Sequence, residues 1–234
     1  MTRLCILIGT PTCELKADSL QKYFEGINQL TNDNVDVLME DNSSTPHYAQ
    51  KLEMMGKEWE KNHPHQTYRV IYSGNTSPKG RQRLVHGRNR IRDICLNEKY
   101  DYFFSLEQDI VPPVNGIETL LSRKKDFVSG GYLNKKSMGE NKKELNVVAG
   151  IYGNETEKQN KIVRQMGFLQ LFPSRLMKVA YTGLGCALIS RNALETTAFR
   201  YEPDKDACDD IYFCMDLQER KIPIYLDSSV LCAH

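Results

Sequence analysis

The sequence has almost no net charge and lacks the signatures of several common functional classes. Its 31 basic and 30 acidic residues give a formal net charge of +1. A nucleic-acid-binding domain usually carries a basic excess, so we expect no nucleic-acid partner. The sequence contains no Walker A segment and no G-x-G-x-x-G fingerprint. The sequence therefore lacks the characteristic motifs of P-loop ATPases and of dinucleotide-binding dehydrogenases.

The cysteines are too few and too irregular to form a disulfide framework. There are seven, an odd number, and no Cys-x-x-Cys pair occurs. Cys5 and Cys186 lie within apolar runs, where cysteine acts as a small hydrophobic residue. We therefore expect a reducing compartment. No apolar run is long enough to span a membrane, and no clear signal-peptide pattern is present, so the sequence predicts a cytoplasmic protein.

The first half of the sequence alternates between strand and helix patterns. Apolar runs predict strands, and apolar residues spaced three and four apart predict helices between them. The strands are expected at 4–8, 35–39, 68–72 and 101–106, and the helices at 18–30, 48–62 and 82–98. This order predicts one α/β domain over residues 1–234, with a mostly parallel central sheet flanked by helices.

The second half is less regular. Strands are expected at 127–132, 147–152, 168–172, 185–190 and 222–226, with helices at 192–197 and 209–220. The polar stretch at 134–144 has the composition of a mobile loop. The absence of a linker favours a single domain over two.

A pair of carboxylates follows the predicted strand at 101–106. Glu107 and Asp109 are two residues apart, so strand alternation directs both to the same side. Oxygen ligands suit a divalent cation, and ligands of parallel sheets bind outside the carboxyl ends of the strands. From the spacing alone, a solvated acidic loop is an equally good interpretation.

Other polar residues have both structural and functional interpretations. Asp209 and Asp210 begin a predicted helix, where a helix cap and a first-turn acid account for both; a general base is the functional alternative. His234 taken alone resembles an exposed surface histidine.

The segment 79–92 holds five Arg and one Lys. Such a cluster fits a diphosphate, a solvated helix face or a membrane-surface patch. Gly183 and Gly185 precede an apolar run, where glycine lets a ligand approach the backbone.

Six segments in order resemble the GT-A glycosyltransferases, and among them the family 2 type. The segments are LIGTPT, MEDNSS, GRNRIRDICLN, YFFSLEQDIVPP, TGLGCALISRNALE and CDDIYFCMDLQERKIPIYLDSSVLCAH. The resemblance covers nearly the whole chain. It implies a Rossmann-like GT-A domain whose nucleotide-sugar-binding half covers about 1–112 and whose acceptor-binding half covers about 113–234.

The resemblance also implies a role for individual residues. The implied metal ligands are Asp109, His234 and Glu107; the catalytic base is Asp210, with Asp209 beside it; the donor-binding residues are Thr10, Pro11, Thr12, Asp41, Arg88, Glu107 and Gln108; and the acceptor or sugar pocket contains Gly183 and Gly185. The family's D-x-D motif begins with Glu107 in this chain. This keeps a carboxylate but changes its reach, which leaves Asp109 as the safer metal ligand.

The implied activity is that of a hexosyltransferase-like enzyme dependent on Mn²⁺ or Mg²⁺. It would move a sugar from a UDP- or GDP-sugar to a hydroxyl of an unidentified glycan, lipid or protein, with inversion. Two alternatives are a nucleotidyltransferase, which would release pyrophosphate, and a non-catalytic nucleotide-sugar-binding domain. A third is a membrane-surface protein that uses the arginine cluster, and peripheral membrane contact is also compatible with an enzyme.

Overall fold

The computed structural model describes residues 4–137, 143–203 and 207–234. The strands are β1 (Ile6–Thr12), β2 (Val35–Asp41), β3 (Tyr68–Tyr72), β4 (Tyr102–Leu106), β5 (Phe127–Gly131), β6 (Leu133–Ser137), β7 (Lys143–Ile151), β8 (Arg164–Gly167), β9 (Leu176–Val179), β10 (Tyr181–Thr182), β11 (Cys186–Ser190) and β12 (Ile224–Leu231). The α-helices are α1 (Leu20–Asn28), α2 (His47–Asn62), α3 (Gly80–Asn97), α4 (Gly116–Ser122), α5 (Glu155–Gln159), α6 (Arg191–Thr196) and α7 (Asp209–Glu219). Short 3-10 helices cover Glu14–Ser19 and Phe168–Leu171.

The central sheet has eight strands in the order β3-β2-β1-β4-β11-β5-β12-β9. Six of them run in one direction, while β11 and β9 are antiparallel to their neighbours. The predicted α/β class and flanked sheet are confirmed, with a sheet that is mixed rather than purely parallel. The chain moves outward from β1 to β3 and then returns to place β4 on the other side of β1. Ligands of such sheets bind at this switch point, outside the carboxyl ends of the two strands.

Apolar residues on alternate positions of the strands bury the two faces of the sheet. Ile8 and Met39 pack with Trp59 on the face covered by α1 and α2. Leu7 and Phe103 pack on the opposite face, where α3 and α7 lie. Burial of each large side chain contributes about 1.5–3 kcal/mol, so alternation along the strands fixes which polar residues reach each face. No helix of the described ranges is both long and apolar enough to cross a membrane.

A second, antiparallel sheet of β10, β7 and β6, with β8 paired to β7, lies beside the central one. Its arms β6 and β7 include the ends of the polar segment that we predicted to be a mobile loop. Those ends are therefore strands, and residues 138–142 of that prediction lie outside the described residues. Leu133 pairs with Val147 across this hairpin.

The predicted strand at 168–172 is wrong. Phe168–Leu171 forms a 3-10 helix, and the backbone N–H of Gly167 donates to the side chain of Gln170 at 2.7 Å. A local side-chain bond of this kind competes with strand pairing. Only Leu171 of the segment is buried, whereas Phe168 and Leu169 are exposed, so the apolar run did not indicate a core strand.

Candidate active site

Side chains from three parts of the chain meet at the switch point. Glu107 and Asp109 directly follow β4, which pairs with β1. Asp209 and Asp210 begin helix α7. His234 is placed there because Val111 and Ala233 form a two-bond bridge, with both N···O distances at 2.9 Å. The sheet edge thus collects the acidic pair, the helix pair and the imidazole that the sequence singled out separately.

Arg88 of helix α3 connects the two acidic pairs. Its guanidinium is 1% exposed, with Nη2 at 2.6 Å from Oε1 of Glu107 and Nε at 2.7 Å from Oδ2 of Asp209. Nη1 also donates to the hydroxyl of Ser105 at 2.9 Å. Burial opposes the charge, but Asp209 and Glu107 outweigh it and raise the pKa of Arg88 above its ordinary value. The arginine therefore remains a cation and fixes both carboxylates.

Lys16 is a second cation in the cluster. Its Nζ lies 3.0 Å from both carboxylate oxygens of Asp109 and 3.5 Å from Oε2 of Glu107. Burial lowers the pKa of Lys16, but the two carboxylates more than compensate and hold it above its ordinary value. The ammonium thus bridges the two acids that the sequence predicted as metal ligands.

His234 presents one ring nitrogen to this pair. Its Nδ1 lies 2.7 Å from the carbonyl oxygen of Leu133. A carbonyl can only accept, so Nδ1 carries the proton and a neutral ring keeps a lone pair on Nε2. That Nε2 is 3.7 Å from Oδ2 of Asp109. A hydrogen bond of this kind on the remote nitrogen is the usual way in which a ligating histidine is oriented.

The charge and space around Asp109 fit a divalent cation. Four carboxylates (Glu107, Asp109, Asp209, Asp210) surround two cations (Lys16, Arg88), which leaves a net charge of about −2 when all are ionised. A cavity of about 90 Å³ is lined by Asp109 and His234 together with Ser19, Lys22, Gln108, Val111 and Ala233. Such a volume holds an ion with several waters.

Among the described residues, the predicted metal ligands Glu107, Asp109 and His234 do not converge on one point. In the part of the chain that the structure describes, no three His, Cys, Asp or Glu side chains converge as a complete metal site. The ammonium of Lys16 stands between the acidic ligands instead. The donor set of two carboxylates and an imidazole fits Mn²⁺ or Mg²⁺.

Asp210 has the properties of a proton acceptor near neutral pH. Oδ1 accepts from the backbone N–H of Ile211 at 2.7 Å, and the residue is half-buried. Burial and then the neighbouring charge of Asp209 raise the pKa of Asp210 to about 6. A base whose pKa lies near the operating pH is effective in proton transfer.

Solved structures share this fold, although sequence comparisons find nothing. No protein-family model and no curated protein matches the sequence. The chain is similar to GalNAc-T7, solved with UDP, GalNAc and Mn²⁺, at a TM-score of 0.65 and 9% identity, over 100% of this chain and 44% of that one. It is also similar to the mannosyltransferase PcManGT from Pyrobaculum calidifontis, in complex with GDP-Man and Mn²⁺, at a TM-score of 0.57 and 14% identity.

The chain has the GT-A fold. The similarity to PcManGT covers 100% of this chain and 57% of that one. A197 from STIV is also similar, at a TM-score of 0.51 and 16% identity over 98% of this chain and 84% of that one. This chain thus spans about half the length of GalNAc-T7 and of PcManGT.

Several predicted donor-binding residues are buried and make hydrogen bonds within the protein. Gln108 is fully buried; Tyr48 donates to its Oε1 at 2.8 Å and its Nε2 donates to the carbonyl of Lys16 at 2.6 Å. The hydroxyl of Thr12 also donates to Gln108, and the hydroxyl of Thr10 lies 2.7 Å from that of Tyr23. Pro11 is buried between them. In this conformation Thr12 joins β1 to Gln108 after β4, and Thr10 joins β1 to helix α1. The contact of these residues with a donor stays a prediction.

Asp41 and Arg88 are equally enclosed. Asp41 is fully buried, and Ser43 donates to its Oδ1 through the backbone N–H at 2.9 Å and through the hydroxyl. Burial, above all, raises the pKa of Asp41. Its predicted contact with a base, like that of Arg88 with donor phosphates, stays a prediction.

Tyr132 packs so closely against Gly183 and Gly185, just before β11, that a side chain at either position would collide with its ring. A Cβ at Gly183 would lie 1.9 Å from the Tyr132 hydroxyl, and one at Gly185 would lie 2.9 Å from the same ring. The backbone N–H of Gly185 donates to that hydroxyl at 3.1 Å. Here the close approach is that of a protein side chain, so lining of an acceptor or sugar pocket by Gly183 and Gly185 stays a prediction.

Sequence reasoning missed both Tyr132 and Lys16. Tyr132 is buried, meets His234 edge-to-face at 6.1 Å between ring centres and follows β5 directly. Tyr132 ends the strand expected at 127–132, and that position did not indicate its contacts with His234 and Gly185. Lys16 lies in the 3-10 helix Glu14–Ser19, and nothing in its local sequence indicates a contact 93 residues away.

Proposed function

We propose that this GT-A domain is a metal-dependent glycosyltransferase that takes a sugar from a UDP- or GDP-sugar. The observation that supports it best is a single cluster at the switch point, which combines an acidic pair beside a histidine with a half-buried aspartate whose pKa is raised. The similar transferase structures contain UDP or GDP-Man together with Mn²⁺. We extend this ligand chemistry to the present chain as part of the proposal.

The residues of the cluster divide into metal ligands and positioning groups under this proposal. Asp109 and His234, assisted by Glu107, would hold Mn²⁺ or Mg²⁺. A bound divalent cation supplies positive charge where the departing nucleoside diphosphate becomes negative. Arg88 keeps Glu107 and Asp209 in position, since its guanidinium is paired with both.

Asp210 would act as the base. The acceptor hydroxyl oxygen forms a bond to the anomeric carbon while the bond from that carbon to the diphosphate oxygen breaks. The hydroxyl proton moves to the carboxylate of Asp210. Direct displacement inverts the anomeric centre, and we propose a hexosyl donor and a glycan, lipid or protein acceptor on the strength of the family resemblance.

The proposal is tested with a panel of UDP- and GDP-sugars, with and without Mn²⁺, by measuring released nucleoside diphosphate. We expect metal-dependent release from one donor, and a loss of about 10²–10⁴-fold in Asp210→Asn, the usual worth of general-base help. Asp93→Asn is the matched control, because Asp93 is 60% exposed on helix α3 and pairs only with its neighbour Arg92 among the ion pairs of the described residues.

Other outcomes identify the alternatives. Release of pyrophosphate would indicate a nucleotidyltransferase. Donor binding by calorimetry without any turnover would indicate a non-catalytic nucleotide-sugar-binding domain. Equal activity in Asp210→Asn and the unsubstituted protein would remove the base role from Asp210.

A further inference from the structure

The ammonium of Lys16 lies where a cation is expected between Glu107 and Asp109. It is 3.0 Å from two oxygens of Asp109 and 3.5 Å from one of Glu107. The side chain reaches this position from the 3-10 helix Glu14–Ser19, which follows β1. A protein cation therefore already satisfies the carboxylates that the proposed function gives to a metal.

The backbone of Lys16 is held firmly, whereas its side chain is not enclosed. Its carbonyl accepts from Nε2 of Gln108 at 2.6 Å and from the hydroxyl of Ser19 at 2.8 Å. The side chain is 36% exposed and lies next to the cavity lined by Asp109 and His234. The four-carbon side chain can therefore rotate toward solvent, once its ion pairs break, while the backbone of Lys16 keeps its hydrogen bonds.

We propose that Lys16 is an exchangeable counter-cation of the metal site, which a divalent cation must displace in order to bind. This inference rests on the proposed metal-dependent function. The same oxygens of Asp109 cannot accept the ammonium at 3.0 Å and a metal at a bond length of about 2.1 Å without bringing two cations into close repulsion.

Two consequences follow from this competition. When no metal is bound, Lys16 offsets part of the repulsion between Glu107 and Asp109 and is the cation paired with Asp109. It also weakens metal binding relative to the same ligands without the lysine. Lys16 is then a positioning residue that sets metal affinity, rather than a ligand of the metal.

The direct test is the affinity for Mn²⁺ alone, measured by calorimetry or by the electron paramagnetic resonance signal of free Mn²⁺. We expect Lys16→Met to bind Mn²⁺ about 10-fold more tightly than the unsubstituted protein, since one competing ion pair is removed. Lys16→Arg keeps a competing charge that can pair with a carboxylate at two points, so it is expected to bind Mn²⁺ no more tightly than the unsubstituted protein.

Lys22→Met is the matched control. Lys22 lines the same cavity, but Glu107 and Asp109 are paired with Lys16 instead. A general electrostatic effect would tighten Mn²⁺ binding equally in Lys22→Met and Lys16→Met. Displacement of a specific counter-cation predicts less than about a twofold change in the control.

A second measurement follows the lysine itself. An amine-acylating reagent, read by mass spectrometry, should modify Lys16 several-fold faster with Mn²⁺ than without it, while Lys22 is unchanged. Equal Mn²⁺ affinity in the unsubstituted protein and Lys16→Met, weaker binding in Lys16→Met, or no binding in either would each overturn the proposal.

Both readouts are independent of sugar transfer. Tighter Mn²⁺ binding in Lys16→Met without donor turnover would support the counter-cation and reject the proposed function. Turnover in the unsubstituted protein with unchanged affinity in Lys16→Met would do the reverse.

Discussion

Nε of Arg88 lies 2.7 Å from Oδ2 of Asp209, and this buried ion pair joins helix α3 to the first turn of helix α7. The same guanidinium is 2.6 Å from Glu107 at the end of β4. One enclosed cation therefore fixes the spacing between the predicted metal-binding carboxylates and the predicted catalytic ones. A change at Arg88 affects both groups at once.

Arg88→Met should lower the free energy of unfolding by about 3–5 kcal/mol, because it leaves two carboxylates without their buried partner. Urea unfolding followed by circular dichroism measures this. Arg69→Met is the control: Arg69 forms a two-point pair with Glu98 at 2.7 and 2.8 Å, but both side chains are more than a third exposed. An exposed pair is worth about 0–1 kcal/mol. Similar losses in the two variants would contradict the structural role of Arg88.

The pKa of Asp210 predicts how activity depends on pH. Burial and the charge of Asp209 raise this pKa to about 6, and a base acts only when deprotonated. We therefore expect kcat/KM to fall about tenfold per pH unit below pH 6 and to level off above it. Residual activity of Asp210→Asn should lack this acid limb, and an unchanged limb in that variant would assign the titration to another group.

Several ionisable groups face Asp210 and shape this titration. They are Asp209 and Glu107, which oppose its negative charge, Arg88, which favours it, and Tyr132, Tyr181 and Cys214, which lie within electrostatic reach. Arg88→Lys should shift the acid limb upward if the guanidinium position matters, because a lysine reaches two carboxylates less well.

The strands and helices of the first half could be predicted because the helices bury one regular apolar face and the central strands form short, continuous apolar runs. The bounds of β3 match the expected 68–72, and α2 and α3 begin within two residues of the predicted starts. The second half contains short strands such as β9 and β10, of four and two residues. Segments of that length carry no readable period, so their placement depends on neighbours that are distant in sequence.

The site was predictable to the extent that its residues follow strands or begin helices. Glu107, Asp109 and Asp210 were singled out in this way from chain position and residue type, and their proposed roles came from the family resemblance. Lys16 and Tyr132 were not, because their importance comes from contacts across the fold: Lys16 reaches Asp109, and Tyr132 occupies the space that Gly183 leaves open. The residues next to Lys16 and Tyr132 in the sequence do not indicate these contacts.

The raised pKa of Asp210 also predicts a conflict between stability and activity. The folded-state pKa is about 6 and the ordinary value is 3.8, so folding favours the protonated form. This contribution to stability is fully present below pH 3.8 and is lost as pH rises through 6. Asp210→Asn should therefore raise the free energy of unfolding at pH 7 by about 1–2 kcal/mol, less than the full shift because the carboxylate is only half-buried.

Thermal or urea unfolding from pH 4 to 8 measures this difference. The gain of Asp210→Asn should appear between pH 4 and 6 and stay constant above. Asp93→Asn should show no comparable pH-dependent gain, since Asp93 is exposed. A destabilised Asp210→Asn at pH 7 would mean that the carboxylate is needed for the fold rather than held there against its preference.

Gly183→Ala distinguishes packing from ligand approach as the reason for that glycine. The new Cβ would lie 1.9 Å from the Tyr132 hydroxyl and 2.8 Å from Val148, so we expect a loss of about 1–3 kcal/mol in stability from overpacking. Adding Tyr132→Phe removes the nearest atom and should restore part of the loss. Gly80→Ala is the control, because its nearest neighbour would be 3.7 Å away and alanine favours the helix. A Gly183→Ala protein of normal stability but with weakened donor or acceptor binding would instead give the glycine the ligand-binding role that the sequence suggested.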